Sequence, residues 1–242
     1  MKRPYSATMT VFPRYAIYYI APHGSVLDRF GSELLGYDAW TGDDLSFPQY
    51  ATRTAPDWRK LTVDPRKYGY HATLKAPFTL ARGTTEAELT IACAAFADKR
   101  RLIPVIIPII ASIRDFIAVL PAQRSDKLQQ LAQDCVTAFD GFRAPLTEGD
   151  RARRNPHELT LRQRDYLDRW GYPYVMEEFR FHMTLTGPLS PAQRKPIQAM
   201  LRDRFSVTKI ATLAIDRIAL FRQNDTSDRF RIIGDWALRH TD

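Results

Sequence analysis

The sequence predicts an α+β fold with two lobes, in which two antiparallel-rich sheets form a central cleft and helices pack on the outer faces. The pattern of residues predicts a histidine-containing strand, a capped helix and two further strands, in that order, over residues 68 to 121 and again over residues 179 to 239. The two histidine strands are also alike in sequence, YGYHATLKAPF and FRFHMTLTGPL. We therefore expect a single bilobal domain over residues 1 to 242 whose halves are related by an approximate twofold axis.

Composition indicates an ordered globular protein with an anionic partner. Hydrophobic residues make up 45% of the 242 residues and aromatic residues 12%, which is typical of a chain with a packed core. The 35 lysines and arginines exceed the 27 acidic residues and give a net charge of +8. Such a charge favours a phosphate compound, RNA or a membrane surface without choosing among them.

The chain shows no signal for a membrane or a secretory route. No apolar run approaches the ~18 residues that a membrane span needs. After Lys2 and Arg3, the first apolar stretch is interrupted by Pro13 and Arg14 and lacks a cleavage signal of small residues. We expect a cytoplasmic protein with no membrane partner, and the sequence leaves its oligomeric state open.

Cysteines and histidines do not suggest a disulfide or a metal centre. Cys93 and Cys135 fall at apolar positions of helical patterns, so we expect buried free thiols. His23, His157 and His240 lie in loop, helix-start or terminal positions and are predicted to be surface residues. Because the histidines are scattered without zinc spacing, we expect neither a metal nor a cofactor.

The first third of the chain combines one strand, one helix and a long irregular segment. Residues 14 to 22 are rich in β-formers and predict a strand. Ser25 predicts the start of a helix that ends at Gly36. Residues 38 to 67 contain three prolines and no sustained periodicity, which predicts loops with at most one short helix around Trp58 to Leu61.

The first histidine strand is followed by a helix and two strands. Thr85 and Glu88 form a capping-box pattern for a helix that continues to about Lys99. The apolar, β-branched run from 103 to 121 is long enough for two strands, with a turn near Arg114.

The middle of the chain is less regular. Ser125 predicts the start of an amphipathic helix. Residues 145 to 178 then form a basic insertion, in which a helix is predicted from about Pro156 to Trp170. The arginine cluster from Arg151 to Arg154 is interpreted either as a solvated loop or as a mobile lid or RNA-contacting arm.

The second histidine strand is followed by the same kinds of element. Ser190 and Gln193 form a capping box with a proline at the first helical position, which predicts a helix to about Phe205. Two strands are predicted over residues 211 to 223 and 229 to 239, joined by a polar turn.

The polar faces of the histidine strands predict a site for a phosphate ester. Because side chains alternate across a strand, His71, Thr73 and Lys75 are expected on one face. The second strand should place four polar residues on its corresponding face, namely Arg180, His182, Thr184 and Thr186.

These residue types suit phosphodiester cleavage. Cleavage without a metal needs a base, an acid and donors for the charge that develops on the phosphate. Two imidazoles can supply the base and the acid, because the unperturbed pKa of histidine is about 6.5. Thr73 and Thr184 lie about 6.5 to 7 Å along the strands from the histidines, so a phosphate between the strands would meet both hydroxyls and both rings.

Charged and aromatic residues near this face are further candidates. Lys75 and Arg180 could neutralise a second phosphate, the alternative being a solvated charge at a strand end. Five tyrosines could include a stacking platform, although strand aromatics commonly pack in the core: Tyr15, Tyr18, Tyr19, Tyr68 and Tyr70.

The paired His-x-Thr-Leu motifs, at residues 71 to 74 and 182 to 185, resemble the signature of the two-histidine phosphoesterase superfamily. That superfamily includes RNA 2′,3′-cyclic phosphodiesterases, 2′-5′ RNA ligase-like proteins and cyclic nucleotide phosphodiesterases. The longer strand sequences are similar to a bacterial branch found with phosphonate-utilisation genes. The resemblance extends over most of the chain, from the Tyr15 strand to the Trp236 strand.

The resemblance implies a bilobal fold and metal-independent chemistry on a cyclic phosphate or a 2′-linked phosphodiester. It implies that His71 and His182 are the acid/base pair, with their individual roles left open, and that Thr73 and Thr184 bind the phosphate. Lys75 and Thr186 occupy equivalent positions of the two strands but differ chemically, which predicts an electrostatically asymmetric cleft.

The leading hypothesis is therefore a phosphodiesterase that hydrolyses a small cyclic phosphate, such as a phosphorylated ribose cyclic phosphate. A rival of the same class acts on RNA ends that carry a 2′,3′-cyclic phosphate or a 2′-5′ linkage. A rival of another class is a binding module that holds a nucleotide or RNA without cleaving it.

Overall fold

The computed structural model describes residues 12–241. Lys2 and Arg3, which entered the expectation about a secretory leader, lie outside it. Within these residues the strands are β1 (Arg14–Tyr19), β2 (Ala72–Thr79), β3 (Val105–Ile106), β4 (Pro108–Ile113), β5 (Phe116–Pro121), β6 (Met183–Thr184), β7 (Leu213–Ala214), β8 (Arg217–Gln223) and β9 (Arg231–Ala237).

Helices occur between most of these strands. The α-helices of the described residues are α1 (Val26–Leu35), α2 (Gln49–Thr54), α3 (Trp58–Leu61), α4 (Val63–Arg66), α5 (Glu86–Asp98), α6 (Asp126–Ala138), α7 (Glu148–Ala152), α8 (Leu161–Trp170) and α9 (Pro191–Val207). Three short 3₁₀-helices cover Asp140–Phe142, Pro156–Glu158 and Met176–Glu178. None of the helices in residues 12–241 is both long and apolar enough to cross a membrane.

Seven strands form one antiparallel sheet in the order β4-β5-β6-β2-β1-β8-β9, and β3 pairs with β7 in a small second sheet. The predicted α+β class is confirmed. The histidine strands, however, do not line two separate sheets, because β2 and β6 pair directly with Ala72 opposite Met183. That pairing joins the strands of the two predicted lobes into one continuous sheet.

The elements that follow each histidine strand lie in the other half of this sheet. After β2, the chain continues through α5 to β4 and β5, which flank β6. After β6, it continues through α9 to β8 and β9, and β8 pairs with β1 on the edge that faces away from β2. Helix α5 accordingly packs on β8 and β9, whereas α9 packs on β4 and β5. The two sequence repeats are thus interleaved in space.

Side-chain caps fix the beginnings of the long helices. The Thr85 hydroxyl accepts a hydrogen bond from the Glu88 backbone N–H, and the Glu88 carboxylate accepts one from the Thr85 N–H. Ser190 and Gln193 make the same reciprocal pair at α9. These contacts satisfy N–H groups that have no partner inside a helix, and they confirm the predicted start positions.

The irregular segment between α1 and the first histidine strand is more helical than predicted. It contains α2 and α4 in addition to the short helix expected at Trp58–Leu61. The Trp58 side chain is fully buried, and its indole N–H donates to the Leu34 carbonyl oxygen at 2.8 Å. Long-range packing of this kind stabilises short helices that lack a periodic sequence pattern.

Both faces of the large sheet are apolar around β1. Tyr15, Ile17 and Tyr19 enter the main core, which also holds the buried thiols Cys93 and Cys135. Tyr18 belongs to a smaller cluster on the opposite face. The helices cover the first face, and the second face carries the candidate site.

Candidate active site

The two motif histidines are held by the same local hydrogen bond. Nδ1 of His71 donates to the Gly69 carbonyl oxygen at 2.8 Å, and Nδ1 of His182 donates to the Arg180 carbonyl oxygen at 2.7 Å. Because a carbonyl oxygen only accepts, each neutral ring keeps its proton on Nδ1 and presents Nε2 as a base. Gly69 adopts a φ of +74°, which is accessible to glycine at little cost.

Aromatic packing surrounds the His71 ring. Tyr18 stacks on it with ring centroids 3.8 Å apart and an interplanar angle of 22°. The Thr73 hydroxyl lies 3.3 Å from Nε2 and can donate to it. Burial, with a smaller effect from the nearby His182, lowers the pKa of His71 to about 4. The ring is therefore neutral near pH 7.

His182 lies in a similar but more open environment. Its ring packs against Phe116, with centroids 5.7 Å apart. Burial also lowers the pKa of His182 below its ordinary value. Both rings are thus available as neutral bases in the unliganded protein.

Two adjoining cavities bring the histidines and threonines together. One cavity of about 300 Å³ is lined by His71 and Thr184, and the other, of about 240 Å³, by His182. Thr73, Phe116 and Tyr172 line both cavities. Each threonine therefore lies at the cavity of the other strand's histidine, because the strands run antiparallel.

Two other predicted residues have different surroundings. The side chain of Thr186 is fully buried, and its hydroxyl accepts from the Ile117 N–H at 3.1 Å. Although Thr186 borders the His71 cavity, its hydroxyl already has a structural partner. Arg180 is exposed and lines the His182 cavity.

Lys75 does not stand beside His71 as the alternation of a regular strand predicts. The register between β1 and β2 shifts on both sides of the Ile17–Lys75 pair, and such irregularities redirect side chains. The ammonium of Lys75, only 3% exposed, donates to Asp140 at 2.8 Å and to the Val136 carbonyl oxygen at 3.1 Å. It borders a neighbouring cavity and not the one that contains His71.

That neighbouring cavity, of about 370 Å³, shares lining residues with the His71 cavity, and two of them, Arg14 and Tyr172, were not candidates from the sequence. Arg14, Tyr68 and Tyr172 line both it and the His71 cavity, as does Arg154 from the arginine cluster. The remaining arginines of the cluster make surface ion pairs: Arg151 with Asp168, and Arg153 with Asp150. Arg154 connects this cluster with the site, because it lines the same cavity as His71. That proximity in space is not visible in the sequence.

The other candidate aromatics and histidines divide between core and surface. Tyr70 is buried in the main core, the Tyr15 hydroxyl donates to Glu86, and the Tyr19 hydroxyl donates to the Ala214 carbonyl oxygen. The three histidines predicted to be surface residues are largely exposed: His23, His157 and His240.

The fold and the site define an α+β protein in which two histidines, each one residue before a strand, line adjoining cavities. The chain matches the family described as "Protein of unknown function (DUF1045)" over residues 73–231. It therefore belongs to this family.

Two curated relatives have the same name, "Ribose 1,5-bisphosphate phosphokinase PhnN". The protein from Janthinobacterium sp. (strain Marseille) is 36% identical over 214 residues, which cover 87% of this chain and 47% of the relative. The protein from Laribacter hongkongensis (strain HLHK9) is 31% identical over 221 residues, which cover 90% of this chain and 50% of the relative. The chain thus spans about half the length of these relatives.

Solved structures similar to this chain include a phosphoesterase and E. coli LigT. A structure titled "Crystal structure of phosphoesterase" has a TM-score of 0.39 and 13% identity, covering 93% of this chain and 98% of its own. E. coli LigT complexed with NADP+ has a TM-score of 0.40 and 16% identity, covering 93% of this chain and 97% of its own.

Proposed function

We propose that this protein hydrolyses a cyclic phosphodiester by acid/base catalysis with His71 and His182 and without a metal ion. The observation that carries the proposal is the matched presentation of the two imidazoles. Each fixes its Nδ1 proton on the carbonyl two residues earlier and leaves Nε2 at a shared cleft. Two histidines with only structural roles would not need matching orientations. A base and an acid on opposite sides of one phosphate do need them, because each must present Nε2 to the substrate.

In the proposed reaction, neutral His71 takes a proton from a water molecule that attacks the phosphorus. The bond between phosphorus and one ring oxygen breaks, and protonated His182 donates a proton to that leaving oxygen. The products are a phosphate monoester and a free hydroxyl, and solvent restores the two protonation states. We assign the base to His71 because burial lowers its pKa to about 4, while a bound phosphate favours the protonated form of the more open His182.

The threonine hydroxyls are proposed to bind the phosphate oxygens. Thr73 borders both cavities and Thr184 borders that of His71, so a phosphate between the rings would meet a donor from each strand. The hydroxyl of Thr73 would turn from Nε2 of His71 to the phosphate when the substrate binds. Donors placed where negative charge develops stabilise the transition state.

A ribose cyclic phosphate with a further phosphate is the substrate that we favour. The curated relatives are named for a kinase of ribose 1,5-bisphosphate. If the cyclic phosphate joins O1 and O2 of a 5-phosphorylated ribose, attack of water on phosphorus with cleavage of the phosphorus–O2 bond frees the 2-hydroxyl and yields ribose 1,5-bisphosphate. The proposed reaction would therefore supply the substrate in that name, in agreement with the expected connection to phosphonate use.

The first test is hydrolysis of a panel of cyclic phosphodiesters, with and without ribose 5-phosphorylation, and of oligonucleotides ending in a 2′,3′-cyclic phosphate, all in EDTA. We expect turnover of the small cyclic phosphates. Faster turnover of the oligonucleotides would favour the RNA-end activity, and ligand binding without turnover would favour the binding module. Activity only after addition of a divalent metal would contradict the mechanism.

The second test is removal of each imidazole. His71→Ala and His182→Ala should each lower kcat by about a hundredfold or more, because each variant loses a proton-transfer group. His157→Ala, a change at an exposed histidine, is the matched control and should keep full activity. Circular dichroism would show that the variants are folded, and a fully active variant at either position would remove that histidine from the proposed pair.

A further inference from the structure

The cavity beside the His71 cleft is strongly cationic. Among the described residues, Asp150 is the only acidic residue that lines it. The basic residues that line it number six: Arg14, Lys67, Lys75, Arg143, Arg153 and Arg154. An enclosed concentration of positive charge raises the local concentration of anions. The cavity is thus suited to an anionic group.

Several of these cations are already neutralised within the protein. Lys75 and Arg143 share the carboxylate of Asp140, at 2.8 and 2.9 Å. Arg153 forms an ion pair with Asp150. A phosphate would have to compete with these carboxylates for the same donors.

Arg14 and Arg154 have different partners. The guanidinium of Arg14 donates from Nε to the neutral Gln223 side chain at 2.9 Å and packs over the Phe230 ring. That of Arg154 lies 4.9 Å from the centre of the Tyr172 ring. Within residues 12–241 neither forms an ion pair with a carboxylate. Both are half-buried, so they are positive charges without a counter-charge in a cleft.

The position of these two arginines connects the cationic cavity with the catalytic one. Arg14 and Arg154 line both cavities, together with Tyr68 and Tyr172. Tyr18, which lines the His71 cavity, has a buried hydroxyl with no hydrogen-bond partner among the described residues.

We propose that Arg14 and Arg154 form a second anion subsite, which holds a terminal phosphate monoester of the substrate while the cyclic phosphate lies between His71 and His182. This inference rests on the proposed function and specifies its substrate class. A phosphate monoester carries a charge of about −1.5 to −2 at pH 7 and three acceptor oxygens, and guanidinium groups bind such oxygens in pairs. The subsite would therefore select substrates with two phosphates over those with one.

The test compares one ribose cyclic phosphate with and without a 5-phosphate, using wild type, Arg14→Gln and Arg154→Gln. Each variant should lower kcat/KM for the phosphorylated substrate by about ten- to a hundredfold, mainly through KM, because each removes charge-assisted hydrogen bonds to the phosphate. The same variants should lower kcat/KM for the unphosphorylated substrate much less, so that the preference of the wild type for the 5-phosphate is lost. Arg151→Gln, which removes an arginine of the same cluster that pairs with Asp168, should affect neither substrate.

Calorimetric binding of both compounds to His182→Ala, with and without the arginine substitutions, gives the same comparison without turnover. Tighter binding of the phosphorylated compound, lost in the arginine variants, would support the subsite even if the hydrolase proposal failed. Equal loss for both compounds, or no preference for the 5-phosphate in wild type, would overturn the subsite. Melting temperatures of the variants would separate unfolding from lost binding.

Discussion

The pH dependence of kcat/KM is the sharpest prediction of the two-histidine mechanism. In the free protein, burial places the pKa of His71 at about 4 and lowers that of His182 below its ordinary 6.5. A neutral base and a protonated acid are both required, so kcat/KM should fall below about pH 4 and also above a pKa that lies under 6.5. Since the alkaline limb loses tenfold per pH unit, kcat/KM at pH 8.5 should be at least about a hundredfold below its maximum.

The assay is the initial rate at low substrate concentration between pH 3.5 and 9, in EDTA. The substrate should have no phosphate monoester, because that group itself titrates near pH 6. In kcat the alkaline limb should move to higher pH, because the bound phosphate stabilises the imidazolium of His182. Fluorescence at each pH would show whether the protein stays folded.

Variants then assign the two limbs. The residual activity of His182→Gln should lose the alkaline limb and keep the acid limb, and His71→Gln should do the reverse. A profile of the wild type that stays flat up to pH 8.5 would refute the reasoning. So would limbs that persist unchanged in both variants.

Two predictions concern stability. Asp140→Asn should lower the free energy of unfolding by about 2 to 3 kcal/mol, because it leaves the buried Lys75 ammonium without its carboxylate, and adding Lys75→Met should restore most of that loss. Urea denaturation measures both, and a double variant as unstable as Asp140→Asn would contradict the structural role of Lys75. Gly31→Ala should lower the melting temperature although alanine favours helices by about 1 kcal/mol, because its Cβ would lie 2.1 Å from the Tyr70 ring. Gly141→Ala, with nothing within 4 Å, is the control, and equal melting temperatures would refute the clash.

The sequence was most informative where short-range physics decides the structure. The capping pair of Thr85 and Glu88 and that of Ser190 and Gln193 depend on residues three positions apart, and both helices begin where predicted. Strand alternation correctly placed Ala72 and Leu74 in the core. These patterns are local, so they can be recognised without knowledge of the fold.

Contacts between distant parts of the chain could not be predicted in the same way. The pairing of β2 with β6 joins Ala72 to Met183, and strand alternation contains no information about which strands become neighbours. For the same reason, the separate sheets expected for the two histidine strands are one continuous seven-stranded sheet. Strand alternation predicted that Lys75 shares a face with His71, but the structure directs its side chain to Asp140. This partner lies 65 residues away, and the register shift has no recognisable motif in the sequence.

The sequence indicated those residues of the candidate site that belong to a repeated motif, but not those that only the fold brings close. The repeated motif drew attention to His71 and His182, whose environments proved equivalent at Nδ1. Arg14 and Arg154 belong to no repeat, and they come together only because β1 lies beside β2 and the basic insertion folds over the same cleft. Their position beside the His71 cavity could be recognised only from the structure.

The interleaving of the two repeats has a consequence for how this chain can be divided. A fragment ending near residue 145 would retain β1 and β2 but lose β8, the other neighbour of β1. The complementary fragment would retain β6 but lose both strands that pair with it, β2 and β5. Each piece would expose unpaired strand edges, which promote aggregation. We therefore expect that this chain cannot be divided near residue 145 in gene fusions, truncations or split-protein reporters. The same holds where the chain is part of a longer protein.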